Sequence, residues 1–247
     1  MNNRINDGIN QYEVNIVDAF LMVGQSNMAG RGDFGEVPEI RNPLCHMLRN
    51  GRWQPMSEPI NPDRAVYGIR FHSGISLAAS FADEYAKFYE KPLGLIPCAD
   101  GGTTIDEWME GELLFDHAVM QTKLAKRTSK LKGILWHQGE SDCLTCESLD
   151  AYGEKLVKVI SALKKAIDGE NLPVLIGEIS NDISDSWKME KRNIEFNKRL
   201  PEIIKEIPNS AIVSADGLEL KADGVHFTSK ACREFGKRYF EVYKVMI

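Results

Sequence analysis

No apolar run in this chain approaches the roughly 20 residues a membrane-spanning helix requires. The first fifteen residues, MNNRINDGINQYEVN, are polar and carry acidic side chains where a secretory leader would have its apolar centre. Thirty lysines and arginines face 36 aspartates and glutamates, with no basic cluster, which argues against nucleic-acid binding by phosphate neutralisation. Neither a P-loop nor a G-x-G-x-x-G turn occurs, so the common nucleotide-binding readings lose their support. Metal signatures are missing too: no HExxH or HxH accompanies any of the five histidines, and Cys143-x-x-Cys146 has no second pair at ligand spacing. That pair reads as ordinary thiols in a surface loop. Five cysteines in a chain of 247 residues are an odd count, and a chain this long needs no disulfide staples. These absences describe a cytoplasmic protein without cofactor or metal, with neither nucleic acid nor membrane as partner. They leave its oligomeric state open.

What is present is an alternation of two periods. Ile16–Gly24, Leu93–Cys98, Leu131–Trp136, Pro173–Ile179 and Ala211–Ser214 are short, continuous apolar runs, the pattern of strands covered by helices on both faces. Between them lie stretches of helical spacing. Leu77–Tyr89 carries Leu77, Phe81, Tyr85 and Phe88 on one face. His117–Lys130 and Leu149–Lys165 follow. Trp187–Ile207 is expected to be broken or offset at Pro201. A last helix running to about Val245 has Thr228 as its N-cap. Helical crossovers force parallel pairing. The expectation is one α/β domain over residues 1–247, three-layered α/β/α, with a flavodoxin-like five-stranded parallel sheet.

One stretch breaks the rhythm. From about residue 30 to 72 no strand is evident, yet five of the ten prolines lie there. Loops this long in compact domains usually serve a function. This one is expected to fold over the crevice and shape a substrate pocket.

Four of the five strand runs lead into polar residues with catalytic potential, and open α/β sheets place their sites at the carboxyl ends of strands. Ser26 follows the first run; a serine is a useful nucleophile only beside a base. His226 is the candidate base, with Asp223 three residues earlier able to curl back onto one ring nitrogen. The order Ser…Asp…His is acceptable, and the lack of G-x-S-x-G disfavours an α/β-hydrolase proper. An oxyanion needs donors placed beforehand: the Ser26 N–H, the N–H of Gly101 or Gly102, and the Gln138 side-chain amide. Glu140 is either an alternative acid for His226 or a group orienting Gln138 and its loop. Asp142 reads as a cap for the segment after it. His137 reads as structural or as pocket wall, and His46, His72 and His117 as surface or loop histidines. Trp108 is either an aromatic wall or a packing residue.

Four blocks, Gly24-Gln25-Ser26-Asn27-Met28-Ala29-Gly30, Gly101-Gly102-Thr103, Trp136-His137-Gln138-Gly139-Glu140-Ser141-Asp142 and Asp223-Gly224-Val225-His226-Phe227, stand in this order. Together they resemble the sialate O-acetylesterase/acetylxylan esterase group, a carbohydrate-esterase branch of the SGNH hydrolases. The resemblance spans residues 16 to about 240. It implies Ser26 as nucleophile, His226 as general base supported by Asp223, and Gly101 and Gln138 completing the oxyanion hole, glutamine being this branch's replacement for the usual asparagine. It also implies a flavodoxin-like three-layer fold, no metal requirement and a small carbohydrate ester as substrate.

Overall fold

In the computed structural model, residues 17–62 and 72–247 are described. Ile16, the polar N-terminal stretch and residues 63–71 of the long segment lie outside them. In chain order the elements are β1 (Val17–Gly24), a one-turn helix α1 (Ser26–Ala29), β2 (Cys45–Arg49), β3 (Arg52–Pro55), α2 (Leu77–Tyr89) and β4 (Leu93–Pro97). There follow α3 (Leu113–Ala125), β5 (Ser129–His137), α4 (Cys146–Ala166), β6 (Val174–Gly177), α5 (Arg192–Ile203), β7 (Ser210–Val213) and α6 (Ser229–Met246). The sheet runs β3-β2-β4-β1-β5-β6-β7. All pairs are parallel except β2–β3.

The five expected strands occupy neighbouring places in the flavodoxin-like order, with β1 at the centre. All eight of its residues are buried, which is why it reads as an unbroken apolar run. Its alternate side chains serve two cores. Ala19, Leu21 and Val23 pack with Phe115 of α3, Leu156 of α4 and Phe196 of α5. Phe20 and Met22 pack with Phe81 of α2 and Phe235 of α6. Phe20 meets Phe81 and Tyr243 edge-on, at centroid distances of 4.8 and 5.0 Å, an arrangement worth about 1 kcal/mol per pair beyond area burial. Among the described residues no helix is long and apolar enough to cross a membrane.

The long segment departs from expectation. It contains a hairpin, β2–β3, that extends the sheet beyond β4. Its turn is Asn50-Gly51, with φ of +50° and +72°, the left-handed pair that a two-residue hairpin requires. Beyond the hairpin, Asn61 exchanges bonds with the Ala99 backbone at 2.9 and 3.0 Å. Glu58 pairs with Arg233 of α6 and accepts from Ser76 N–H at 3.1 Å. The described part is thus fastened to the sheet edge and to α6.

Other boundaries moved for local reasons. The helix expected over 117–130 runs from Leu113 to Ala125, because Ser129 to Lys132 alternate in burial and begin β5. The region 187–207 is divided. Lys188, Glu190 and Lys191 take left-handed φ values, α5 starts only at Arg192, and it runs two residues past Pro201 before tightening into a 3₁₀ turn. Phe88 is exposed (57%); at the end of α2 its neighbours are Tyr89, Phe240 and the Lys244 ammonium. Thr228 caps α6 as expected, its hydroxyl accepting from Ala231 N–H at 3.2 Å.

Candidate active site

β1 ends on Gly24, whose φ of +134° and close approach to His137 leave no room for a side chain: a Cβ there would sit 2.0 Å from the His137 carbonyl oxygen. Gln25 N–H donates to that same oxygen at 2.9 Å, and the chain turns at once into α1. Ser26 is the first residue of this turn. Its backbone N–H, like those of Gly101 and Gly102, makes no hydrogen bond among the described residues. Gly101 lies beside it: a Cβ on Gly101 would be 3.5 Å from the Ser26 Cβ and would overlap the Arg31 guanidinium.

The Asp223–His226 turn closes on the hydroxyl from the far end of the chain. His226 Nε2 is 3.0 Å from Ser26 Oγ, and His226 Nδ1 is 2.8 Å from Asp223 Oδ2. Asp223 Oδ1 accepts from the N–H groups of Val225 (3.1 Å) and His226 (3.0 Å). Partial burial works against the Asp223 charge, but the bonds from the His226 backbone, its ring and the Val225 N–H outweigh it and hold the carboxyl below its usual range. The carboxyl group is therefore held in its charged form beside the His226 ring.

Asn27 fixes this long-range meeting. Its amide donates to Val225 O (3.2 Å) and to Glu140 Oε1 (2.6 Å), and its oxygen accepts from Phe227 N–H (3.2 Å). It thus grips the backbone on both sides of His226. Glu140 is buried, with Oε2 lacking a partner among the described residues and Oε1 3.7 Å from His137 Nδ1. Its bond goes to Asn27, whereas the His226 ring is met by Asp223.

The third block differs from expectation. Gln138 is fully buried, and its amide donates to Thr103 O at 3.0 Å and Asp142 Oδ2 at 2.5 Å. Both hydrogens are committed to the protein. Asp142 caps nothing after it. Its carboxyl accepts from Ile105 N–H at 3.1 and 3.2 Å as well as from Gln138, strapping the second block to the third, and the start of α4 is capped by Thr145. Burial raises the Asp142 pKa to about 6, against the lowering effect of the Gln138 and Ile105 bonds. His137 is fully buried, packed edge-on against Phe227 and Phe235 and bonded through Nε2 to Glu178 O. Burial lowers its pKa despite nearby Glu140, so it serves the core. Trp108 is buried against Trp136, a packing residue and no wall.

Of the remaining histidines, His46 is buried in β2, His117 is half-buried on α3 and His72 is exposed. Cys143 is buried and Cys146, the first residue of α4, is exposed, so the pair does not sit in a surface loop.

The site opens into a cavity of about 120 Å³. Gln25, Ser26, Arg31, Gly101, Glu140 and His226 contribute to its polar part. Trp187, Leu144 and Met189 line another part, and nothing in the sequence pointed to these three. Of the described residues of the long segment, Arg31 reaches this cavity and Asn61 lines a neighbouring one of about 150 Å³.

A parallel sheet of this order, covered by helices on both faces, thus gathers a serine, a histidine and an aspartate at its carboxyl edge. The family profile described as carbohydrate esterase, sialic acid-specific acetylesterase, matches residues 16–245, and the chain belongs to that family. It is 28% identical over 243 residues to a probable carbohydrate esterase of Arabidopsis thaliana, covering 91% of this chain and 89% of that one. A solved structure of an Arabidopsis thaliana protein superimposes with a TM-score of 0.80 at 27% identity, over 94% of this chain and 99% of that one. NanS superimposes at 0.72 with 14% identity, over 94% and 98%. An Axe2 variant, an acetyl xylan esterase from Geobacillus stearothermophilus, does so at 0.55 with 14% identity, over 93% and 96%. The last two likenesses bear on fold. Membership of the family makes the protein a carboxylic ester hydrolase of the carbohydrate acetylesterase kind.

Proposed function

We propose that the protein is a serine O-acetylesterase that removes acetyl groups from small sugar esters, acetylated xylo-oligosaccharides or similar, through an acyl-enzyme. The observation that carries this reading is the unbroken series Ser26 Oγ, His226 ring, Asp223 carboxyl, with contacts of 3.0 and 2.8 Å at the mouth of a cavity. His226 Nε2 takes the Ser26 proton as Oγ bonds to the acetyl carbonyl carbon. The oxyanion lies against the unpaired N–H groups of Ser26 and Gly101. As the carbon–oxygen bond to the sugar breaks, His226 returns its proton to the departing sugar oxygen. Water then loses a proton to His226 and adds to the acyl carbon; acetate leaves and Ser26 regains its proton. Asp223 holds the Nδ1 hydrogen throughout and takes no proton.

In this reading Gln138 supports the oxyanion turn from beneath by bonding Thr103 O, and Glu140 positions His226 through Asn27. The domain acts as a single unit in a reducing cytoplasm, in keeping with five unpaired cysteines, where imported oligosaccharide acetates are natural substrates.

The test is acetate release from a chromogenic acetate ester and from acetylated xylo-oligosaccharides, by the intact protein and by Ser26→Ala. Activity that survives in Ser26→Ala refutes the mechanism. Preference for O-acetylated sialic acid over xylo-oligosaccharides would keep the mechanism and replace the substrate.

A further inference from the structure

The part of the cavity formed by Trp187, Leu144 and Met189 is apolar and rigidly built. Of the four tryptophans, Trp53, Trp108 and Trp136 are at most 1% exposed, whereas Trp187 is 38% exposed; Leu144 is 47% exposed. Large apolar side chains left open at the mouth of a polar site give up burial free energy and mark a contact surface. These are also held in place. Trp187 Nε1 donates to the Asp223 carbonyl oxygen at 2.8 Å, and Ser184 N–H donates to Gly224 O at 2.8 Å. The tryptophan turn is therefore tied to the turn that carries His226. On its other side Arg192 bonds the carbonyl oxygens of Cys143, Leu144 and Lys188 at 2.7, 2.8 and 2.9 Å, joining the Leu144 and Trp187 halves of the wall. Lys188, Glu190 and Lys191 all have φ between +50° and +65°. Such residues are costly without glycine and persist where surrounding structure over-determines them. Three in four positions present Met189 to the cavity.

We propose that Trp187, flanked by Leu144, is the platform on which the sugar ring of the ester lies. A pyranose has an apolar face of C–H groups and a rim of hydroxyls. The rigid indole offers a large contact area with a negative face that attracts polarised C–H groups. Polar groups that line the same cavity, Arg31 and Gln25 among them, suit the hydroxyl rim. The assignment names the substrate class of the proposed esterase site, an O-acetylated pyranose whose ring is the leaving group, and for that name it rests on the reading above.

Because Trp187 is the exposed tryptophan, its fluorescence can be followed apart from turnover. Iodide quenching of Ser26→Ala protein is measured with and without acetylated xylo-oligosaccharide, and in a separate arm with O-acetylated sialic acid. The platform predicts that at least one sugar shields Trp187. It also predicts that Trp187→Ala lowers kcat/KM for that sugar acetate, relative to ethyl acetate, by about tenfold, while Trp187→Phe keeps the ratio. Leu144→Gln, on an exposed turn, should lower the same ratio by a smaller factor and is the variant to read if Trp187→Ala does not fold. Quenching unchanged by either sugar, or losses equal on ethyl acetate and sugar acetate, would overturn the platform even if acetate is released. Shielding in a protein that releases no acetate would uphold the platform and defeat the esterase reading.

Discussion

Asn27→Ala removes the amide that joins the proposed nucleophile turn to the proposed base. The side chain is 2% exposed and makes three bonds, to Glu140 Oε1, Val225 O and Phe227 N–H. Among the described residues Glu140 Oε2 already lacks a partner, so the variant would leave a buried carboxyl group without a donor. A bond to a charged group contributes about 1.5–3 kcal/mol, and stranding its buried partner adds about 1–3 kcal/mol. Allowing for partial relaxation, the expected loss is about 3 kcal/mol, a fall of roughly 6–12 °C in melting temperature for a chain of this size. Urea unfolding at constant m-value would measure it. The decisive variant is Asn27→Ala with Glu140→Gln. Exchanging the carboxyl group for an amide removes the formal charge and should return about 1–2 kcal/mol. It should not return activity, because Val225 and Phe227 remain untethered and His226 is no longer held against Ser26. A double variant no more stable than Asn27→Ala would refute the idea that Glu140 is the source of the cost. A double variant with restored acetate release would refute Asn27 as the positioning residue.

Asp142→Asn tests the strap between the second and third blocks by pH. Its folded pKa of about 6 lies above the model-peptide range, so the fold binds more protons than the unfolded chain between about pH 4 and 6. Wild type should therefore lose about 2–3 kcal/mol relative to Asp142→Asn as pH rises through that window; parallel stability curves would count against it. Asp223 has the opposite sign: its lowered pKa means that its contribution to stability is present above the usual carboxyl range and is lost as pH falls through it, measurable as an acid-side fall in urea midpoint that Asp223→Asn does not show. Gly24→Ala should abolish soluble expression, since its Cβ would meet His137 backbone at 2.0 Å, whereas Gly101→Ala meets the mobile end of Arg31 first and should cut activity with little loss in urea midpoint. Of the cysteine pair, Cys146 should react with a thiol reagent in the native protein and Cys143 only after unfolding, as burial also raises the Cys143 thiol pKa.

How much was legible depended on the range of the interaction. The five apolar strands were readable because helices cover them on both faces, and burial on both sides writes itself as an unbroken run. The β2–β3 hairpin was readable in principle, from Asn50-Gly51, but its strands are short and its flanks rich in proline. A count of prolines pointed to loop where a two-residue turn was the stronger signal. Ser129 and Lys130 fall within the helical spacing of 117–130, because basic residues suit either period, although the strand already begins at Ser129. Trp187 falls in a helical period that the left-handed residues Lys188, Glu190 and Lys191 interrupt; none of the three is glycine, so the sequence carries no warning. The chemistry of its amide points Gln138 toward the cavity, yet its direction is set by Asp142 and Thr103, a choice among acceptors that one sequence does not display.

The same distinction explains why the acid–base pair was legible and its union with the serine was less so. Asp223 and His226 organise each other within four residues. One carboxyl oxygen closes the turn on Val225 and His226 N–H while the other meets the ring, so spacing alone foretells the geometry. Ser26 and His226 are 200 residues apart in sequence, and no local preference can hold them at 3.0 Å. That task falls to Asn27, adjacent to Ser26, bonded on either side of His226, and itself fixed by Glu140 from the third block. Glu140 therefore influences the position of His226 without touching it. This has a consequence for the choice of acid. Replacing Asp223 should change the protonation of His226 and hence the pH profile, because the carboxyl contacts Nδ1 directly. Replacing Glu140 should lower kcat at all pH values alike, because it alters where His226 stands and not how strongly it binds a proton. A shifted acid limb in Glu140→Gln together with an unshifted one in Asp223→Asn would reverse the two roles.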